Sequence, residues 1–188
     1  MKRLSLKKTN RLVAALAAVL FALGIGTMTT SPASATTKSG SHLAAFDGNP
    51  YGYEIRNAWN ECLGILNESK ANGAEAVQWP CDGQPDQAWQ MFCQPNSGGC
   101  EFVNQNSNKC LGVLNESTAN GAAIIQWDCW NGPDQNWRWI HFPNGGNIQN
   151  YNTNYQKCLG IDGDNPAEGT PAIQWDCNGN NDQQWRQT

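Results

Sequence analysis

The sequence predicts an all-β domain built from three repeats of roughly 48 residues, a period typical of repeat architectures, closed on itself and stapled by disulfides. Three observations predict it. Cys62, Cys110 and Cys158 recur at a constant step of 48, and so do Cys81, Cys129 and Cys177. Trp79, Trp127 and Trp175 keep the same step, as do Trp89, Trp137 and Trp185. Short apolar runs such as Tyr53-Glu-Ile-Arg-Asn57, Ala74-Glu-Ala-Val-Gln-Trp79 and Ala122-Ala-Ile-Ile-Gln-Trp127 lie between Asn-Gly, Asp-Gly and Gly-Pro turn signals. No segment beyond the leader holds a helical period.

In chain order, Lys2, Arg3, Lys7, Lys8 and Arg11 form a positive start, Leu12 to Ile25 an apolar run, and Pro32-Ala33-Ser34-Ala35 an A-x-A pattern of small residues. The run is shorter than the roughly 20 residues of a spanning helix. Residues 1–35 therefore read as a signal peptide cleaved after Ala35, leaving an extracellular chain that begins at Thr36. Membrane contact would end with removal of that peptide. Residues 36–48, rich in Ser, Thr, Gly and Lys, read as a flexible lead-in. The repeats occupy residues 49–188, with lobes at about 49–93, 94–141 and 142–188.

All eight cysteines follow the leader, as an oxidising compartment favours. Three pairs share one and the same separation: Cys62–Cys81, Cys110–Cys129 and Cys158–Cys177. Cys93 and Cys100 are left as a local fourth pair. In the chain-entropy model, loops of this length each contribute about 3 kcal/mol. A zinc site would want C-x-x-C clusters, which are absent, and with only His42 and His141 a His-rich metal site is excluded. No metal or cofactor is expected. Three units are too few for a usual propeller, so a closed threefold β structure remains.

The formal net charge of −4 hides an asymmetry. The segment Met1–Arg11 holds five of the 12 basic residues and no acid, so the rest carries 7 basic against 16 acidic residues, a net of −9. So acidic a chain repels phosphate backbones, and nucleic acid is not an expected partner.

Written out, the repeats are Cys62-Leu-Gly-Ile…Gln78-Trp79-Pro-Cys81…Asp86-Gln87-Ala-Trp89, Cys110-Leu-Gly-Val…Gln126-Trp127-Asp-Cys129…Asp134-Gln135-Asn-Trp137 and Cys158-Leu-Gly-Ile…Gln174-Trp175-Asp-Cys177…Asp182-Gln183-Gln-Trp185. This resembles the ricin B-chain type lectins, whose Q-x-W signature recurs in each lobe of a β-trefoil. The resemblance covers about residues 50–187. It implies a β-trefoil and a secreted, monomeric, non-enzymatic protein that binds glycans or polysaccharides through up to three shallow sites.

Within that resemblance, an aromatic residue two before the second cysteine stacks on the sugar, and Trp79, Trp127 and Trp175 hold that place. A flat, rigid ring suits the C–H face of a pyranose at little entropic cost. The same indoles would also suit a core, and both roles stand open in the sequence. The family often has Gln four before that cysteine; here Gln78, Gln126 and Gln174 stand three before it. Strand side chains alternate faces, so a one-residue shift turns the tryptophan inward unless a bulge absorbs it.

The family's polar anchor, an Asp two after the first cysteine, is replaced by Gly64, Gly112 and Gly160. The residue before each Q-x-W is Asp86, Asp134 or Asp182, whose carboxylate could take over by accepting sugar hydroxyls, or could cap a turn. In the third lobe Asp162-Gly-Asp164-Asn165 stands where the others have Leu66-Asn-Glu68 and Leu114-Asn-Glu116, and Asp162 is a further candidate anchor. An EF-hand is excluded there, since Ile173 stands at the twelfth position. Gln87, Gln135 and Gln183, with Trp89, Trp137 and Trp185, read as the repeated core.

Two other classes are open. A small glycoside hydrolase needs two carboxylates flanking one bond, whereas here the carboxylates read as one per lobe, spread apart by symmetry. A trefoil protease inhibitor would act through one protruding loop, and three like lobes argue for three equivalent sites instead. No G-x-S-x-G, H-E-x-x-H or Cys/His arrangement appears, and no catalytic residue is assigned.

Overall fold

The computed structural model describes residues 45–46, 51–94, 99–142 and 145–188. The expected signal peptide, its cleavage point and most of the lead-in lie outside the described residues. Of the segment 36–48, Ala45 and Phe46 are described, and they form a two-residue strand, β1, paired with the last strand of lobe 1.

Each lobe contributes four strands. Lobe 1 has β2 (Tyr53–Asn57), β3 (Cys62–Ile65), β4 (Ala76–Trp79) and β5 (Ala88–Cys93). Lobe 2 has β6 (Cys100–Asn104), β7 (Cys110–Val113), β8 (Ala122–Trp127) and β9 (Trp137–Phe142). Lobe 3 has β10 (Gly145–Asn150), β11 (Lys157–Ile161), β12 (Ala172–Asp176) and β13 (Trp185–Gln187). First and last strands pair around a closed ring: β2–β5, β5–β6, β6–β9, β9–β10, β10–β13 and β13–β2. Closure leaves the barrel no open edge. The middle strands form hairpins, β3–β4, β7–β8 and β11–β12, that meet one another at one end. This is the β-trefoil.

The core follows the repeat. Trp89, Trp137 and Trp185 are fully buried. Each indole N–H donates to a carbonyl in its own lobe, of Leu63, Leu111 and Leu159, at 2.8, 2.9 and 2.9 Å. Burying the rings without those bonds would leave an unpaired donor in the core. The glutamine two before each one ties down the strand-to-turn connection. Gln87 Nε2 donates to the Pro80 carbonyl, Gln135 Nε2 to that of Asp128 and Gln183 Nε2 to that of Asp176. The four disulfides join the cysteines as their spacing predicts.

Candidate functional site

Each hairpin aligns the first cysteine opposite the tryptophan, Cys62 with Trp79, Cys110 with Trp127 and Cys158 with Trp175. The tryptophans face outward, 44%, 45% and 42% exposed, while Gln78, Gln126 and Gln174 beside them are fully buried. The one-residue shift of the glutamine therefore does not turn the indole inward. Instead the glutamine takes the inner face and reaches the neighbouring lobe. Gln126 Nε2 donates to the carbonyls of Ser69 and Ala71, Gln174 Nε2 to Ser117 and Ala119, and Gln78 Nε2 to Asn165 and Ala167. These amides lock each loop of one lobe onto the next.

The loop so held backs the exposed ring. Gly73 donates its amide to the Gln126 carbonyl at 2.9 Å, Gly121 to Gln174 at 2.9 Å and Gly169 to Gln78 at 2.8 Å. A Cβ on Gly73, Gly121 or Gly169 would lie 3.6, 3.7 or 3.0 Å from Cζ3 of Trp127, Trp175 or Trp79. All three glycines have φ near +80°, a conformation that side-chain-bearing residues rarely adopt. They keep the same step as the cysteines and tryptophans, a signal in the sequence that would have flagged them.

The aspartates are buried. Asp86, Asp134 and Asp182 sit in single 3-10 turns, Pro85–Gln87, Pro133–Gln135 and Asn181–Gln183. Proline opens the first two turns, where its missing N–H costs nothing. Asn104 and Asn150, each from the following lobe, donate to the carbonyls of Asp86 and Asp134 at 2.6 and 2.7 Å. Oδ2 of Asp86 accepts from the Ile65 amide and Oδ2 of Asp134 from the Val113 amide, both at 3.3 Å. Among the described residues, no donor reaches Oδ1 of Asp134 or Asp182 with hydrogen-bond geometry, although both atoms are buried.

The same carboxylates account for the glycines that replace the family's aspartate. A Cβ on Gly64, Gly112 or Gly160 would stand 3.0, 2.9 or 2.5 Å from Oδ2 of Asp86, Asp134 or Asp182. The carboxylate arriving from the turn fills the space a side chain on the strand would need.

Burial lifts the carboxyls of Asp86, Asp134 and Asp182 above the usual aspartate value. Nearby negative charge adds to the rise, from Glu68 and Asp82 at Asp86, Glu116 at Asp134 and Asp164 at Asp182, while backbone amides pull the other way. These neighbours correct the reading of one carboxylate per lobe. Each lobe sets a second acid near its buried aspartate, and Glu68 and Glu116 line the same clefts as Asp86 and Asp134. Glu68, Glu116 and Asp164 all hold positive φ, between 51° and 53°, a strained setting for such residues.

In lobe 1 the cleft, about 190 Å³, is lined by Trp79, Asp86, Gly64, Val77, Asn67 and Glu68 among others. In lobe 2 it is about 360 Å³ and joins Trp127 and Asp134 with Leu114, Glu116 and Trp130. Lobe 3 repeats the arrangement, with Trp175 exposed opposite Cys158 and Asp182 buried against Gly160. There Asp162 is exposed and holds the repeat position of Leu66 and Leu114, while Asp164, not Asp162, is the charge felt by Asp182.

Comparison with known proteins agrees with this geometry. The family model for the ricin-type beta-trefoil lectin domain matches residues 51–186. No curated protein sequence matches the chain. Among solved structures, the designed threefold-symmetric protein ThreeFoil is 28% identical with a TM-score of 0.68, over 72% of this chain and 96% of that one. An exo-beta-1,3-galactanase from Clostridium thermocellum is 25% identical with a TM-score of 0.70, over 75% of this chain. The match spans only 30% of that enzyme. The Rhizoctonia solani agglutinin, at 18% identity and a TM-score of 0.66 over 74% of this chain and 95% of its own, shares the fold.

Proposed function

The chain belongs to the ricin-type β-trefoil lectin domain family, and we propose that it is a secreted lectin engaging glycans or polysaccharides through up to three shallow sites, one per lobe. One observation carries the reading. In each lobe an exposed indole, braced by a glycine of the neighbouring lobe, stands with a buried carboxylate that packs against the strand glycine. The ring offers a dry platform to the C–H face of a pyranose. In lobes 1 and 2 a backbone amide already holds one carboxylate oxygen. The aspartates of these two lobes line the clefts, and their carboxylates are the groups that would accept sugar hydroxyls. In lobe 3, Asp162 adds a further acceptor.

Each site is open and shallow, so single sites bind weakly, and affinity comes from three sites on one rigid body meeting a branched or surface-bound glycan. A hydrolase is the second reading, because each lobe carries two acids. Against it, in lobes 1 and 2 one oxygen of the buried aspartate already accepts a backbone amide.

The test is a glycan array and a polysaccharide column, using chain recovered from culture medium, whose N-terminus is expected at or near Thr36. Joint replacement of Trp79, Trp127 and Trp175 by Ala is expected to abolish retention while the fold survives. Undiminished retention would overturn the assignment of these sites. Sugar release above a no-protein control, lost in Asp134→Asn, would favour the hydrolase.

A further inference from the structure

Lobe 2 departs from its neighbours at the residue after the second cysteine. Lobe 1 has Asp82 there and lobe 3 has Asn178. Each side chain accepts a hydrogen bond from the amide two residues on, Gln84 to Asp82 Oδ1 at 2.9 Å and Asn180 to Asn178 Oδ1 at 2.8 Å. These are turns in which a side chain stands in for backbone. Lobe 2 has Trp130 instead. Its backbone keeps to the repeat: the Trp130 amide donates to Gln135 Oε1 at 3.0 Å, as Asp82 does to Gln87 and Asn178 to Gln183. Only the side chain has been exchanged, a turn-forming acceptor for an indole.

A second exchange accompanies the first. Where the other lobes have Gln84 and Asn180, lobe 2 has Gly132. Its φ of −75° is open to any residue, so the backbone does not require glycine there. The ring does. A Cβ on Gly132 would fall 2.0 Å from Cζ2 and 2.2 Å from Cε2 of Trp130. The indole lies against the glycine. Yet it remains 52% exposed, so the exchange gives up a turn hydrogen bond without burying the ring it brings in. The cleft it shares with Trp127 and Asp134 is nearly twice the volume of the lobe 1 cleft.

We propose that the lobe 2 cleft takes a linear oligosaccharide of at least two units, with one pyranose on Trp127 over Asp134 and the next unit of the same chain on Trp130. The proposal rests on the reading of Trp127 and Asp134 as sugar contacts. Trp130 is then the residue that sets preference for chain length, and lobes 1 and 3 are single-unit sites.

The experiment isolates lobe 2 in the chain carrying Trp79→Ala and Trp175→Ala. Calorimetric titrations use galactose, xylose, glucose and N-acetylglucosamine, each beside its β-linked di- and trisaccharide. In the matching series the trisaccharide is expected to bind about tenfold tighter than the monosaccharide, or about 1.4 kcal/mol. Trp130→Asp with Gly132→Gln, which copies the lobe 1 turn, should bring trisaccharide affinity down to that of the monosaccharide. The reverse exchange, Asp82→Trp with Gln84→Gly in a chain that keeps only lobe 1, should create a preference for the trisaccharide. Thermal melting should be unaltered in both, since each turn already exists on the same backbone. Sugar binding with no dependence on chain length, or equal loss for mono- and trisaccharide, would overturn this proposal alone. Absence of binding to every series by the unmodified chain would overturn the lectin reading beneath it.

Discussion

The two repeated tryptophans of each lobe stand close together in the chain, and they end in opposite surroundings. Trp137 is fully buried in the barrel with its N–H bonded to the Leu111 carbonyl, whereas Trp127 leaves nearly half its surface in water. Both rings are held in place, but by different means. The buried ring is fixed by packing on all sides and one internal hydrogen bond. The displayed ring is braced from the adjacent lobe, by Gly73 and by the loop that Gln126 clamps. Residue type and periodicity are the same for both. The difference lies in which neighbours the fold supplies, and it separates a residue that stabilises the molecule from one that serves its surface.

The largest effect should come from breaking the buried member. Trp137→Ala removes a core indole and orphans the Leu111 carbonyl, with an expected loss of about 3–5 kcal/mol. In a domain of this size the melting temperature should fall by about 10–20 °C. A calorimetric melt checks this, and a shift of only a degree or two would contradict the assignment to the core.

Trp127→Ala sharpens the contrast from the other side. Stability should change by about 1 kcal/mol or less, as for a surface position. Apparent affinity for immobilised polysaccharide should fall about tenfold or more through lost avidity, while each surviving site keeps its affinity for free monosaccharide. Melts run beside binding isotherms separate the two outcomes. A steep fall in melting temperature with binding intact would place Trp127 with the core.

The smallest effect concerns pH. Burial raises the carboxyls of Asp86, Asp134 and Asp182, so on acidification they protonate before an unfolded-state aspartate, near about pH 3.9, would. A protonated carboxyl accepts fewer hydroxyls, and binding should weaken as pH falls through that raised range. Stability runs the opposite way for these groups, because the native state takes up protons more readily than the unfolded chain. By contrast, hydrogen bonds from Lys109 and Lys157 lower the carboxyls of Asp128 and Asp176. Any stability from those pairs is complete above the unfolded-state value and disappears as pH falls through the lowered one. Between the raised range and the unfolded-state value, binding should decline without loss of melting temperature. A parallel fall of both would point to general unfolding rather than titration at the sites.

Much of the architecture was legible because covalent and periodic constraints are local. One repeated cysteine separation identified three disulfides, and one repeated step in cysteine and tryptophan identified three lobes, before any packing was known. Turn signals located β2 at Tyr53–Asn57 and β8 at Ala122–Trp127. The site was only half legible. Tryptophan suits a core and a sugar platform equally, and alternation along a strand does not say which face meets water. The pairing of Glu68 with Asp86 was missed because a whole hairpin return lies between them in the chain and brings them together only in the fold. Trp130 was missed because it stands outside the repeat, where periodicity carries no signal.

What the sequence determined by itself is the threefold β design and its bridges, since each follows from spacing that any compact chain must respect. Tertiary structure decided the rest. The Q-x-W indoles are inside, as the sequence predicts, but only the meeting of three hairpins left the other indoles against a neighbour's glycine, facing out. That Asp86, Asp134 and Asp182 lie against Gly64, Gly112 and Gly160, where a side chain would stand, is likewise visible only in the fold. The physical reason is common to all of them. Two side chains cannot share one volume, and which two compete is set by contacts between residues far apart in the chain.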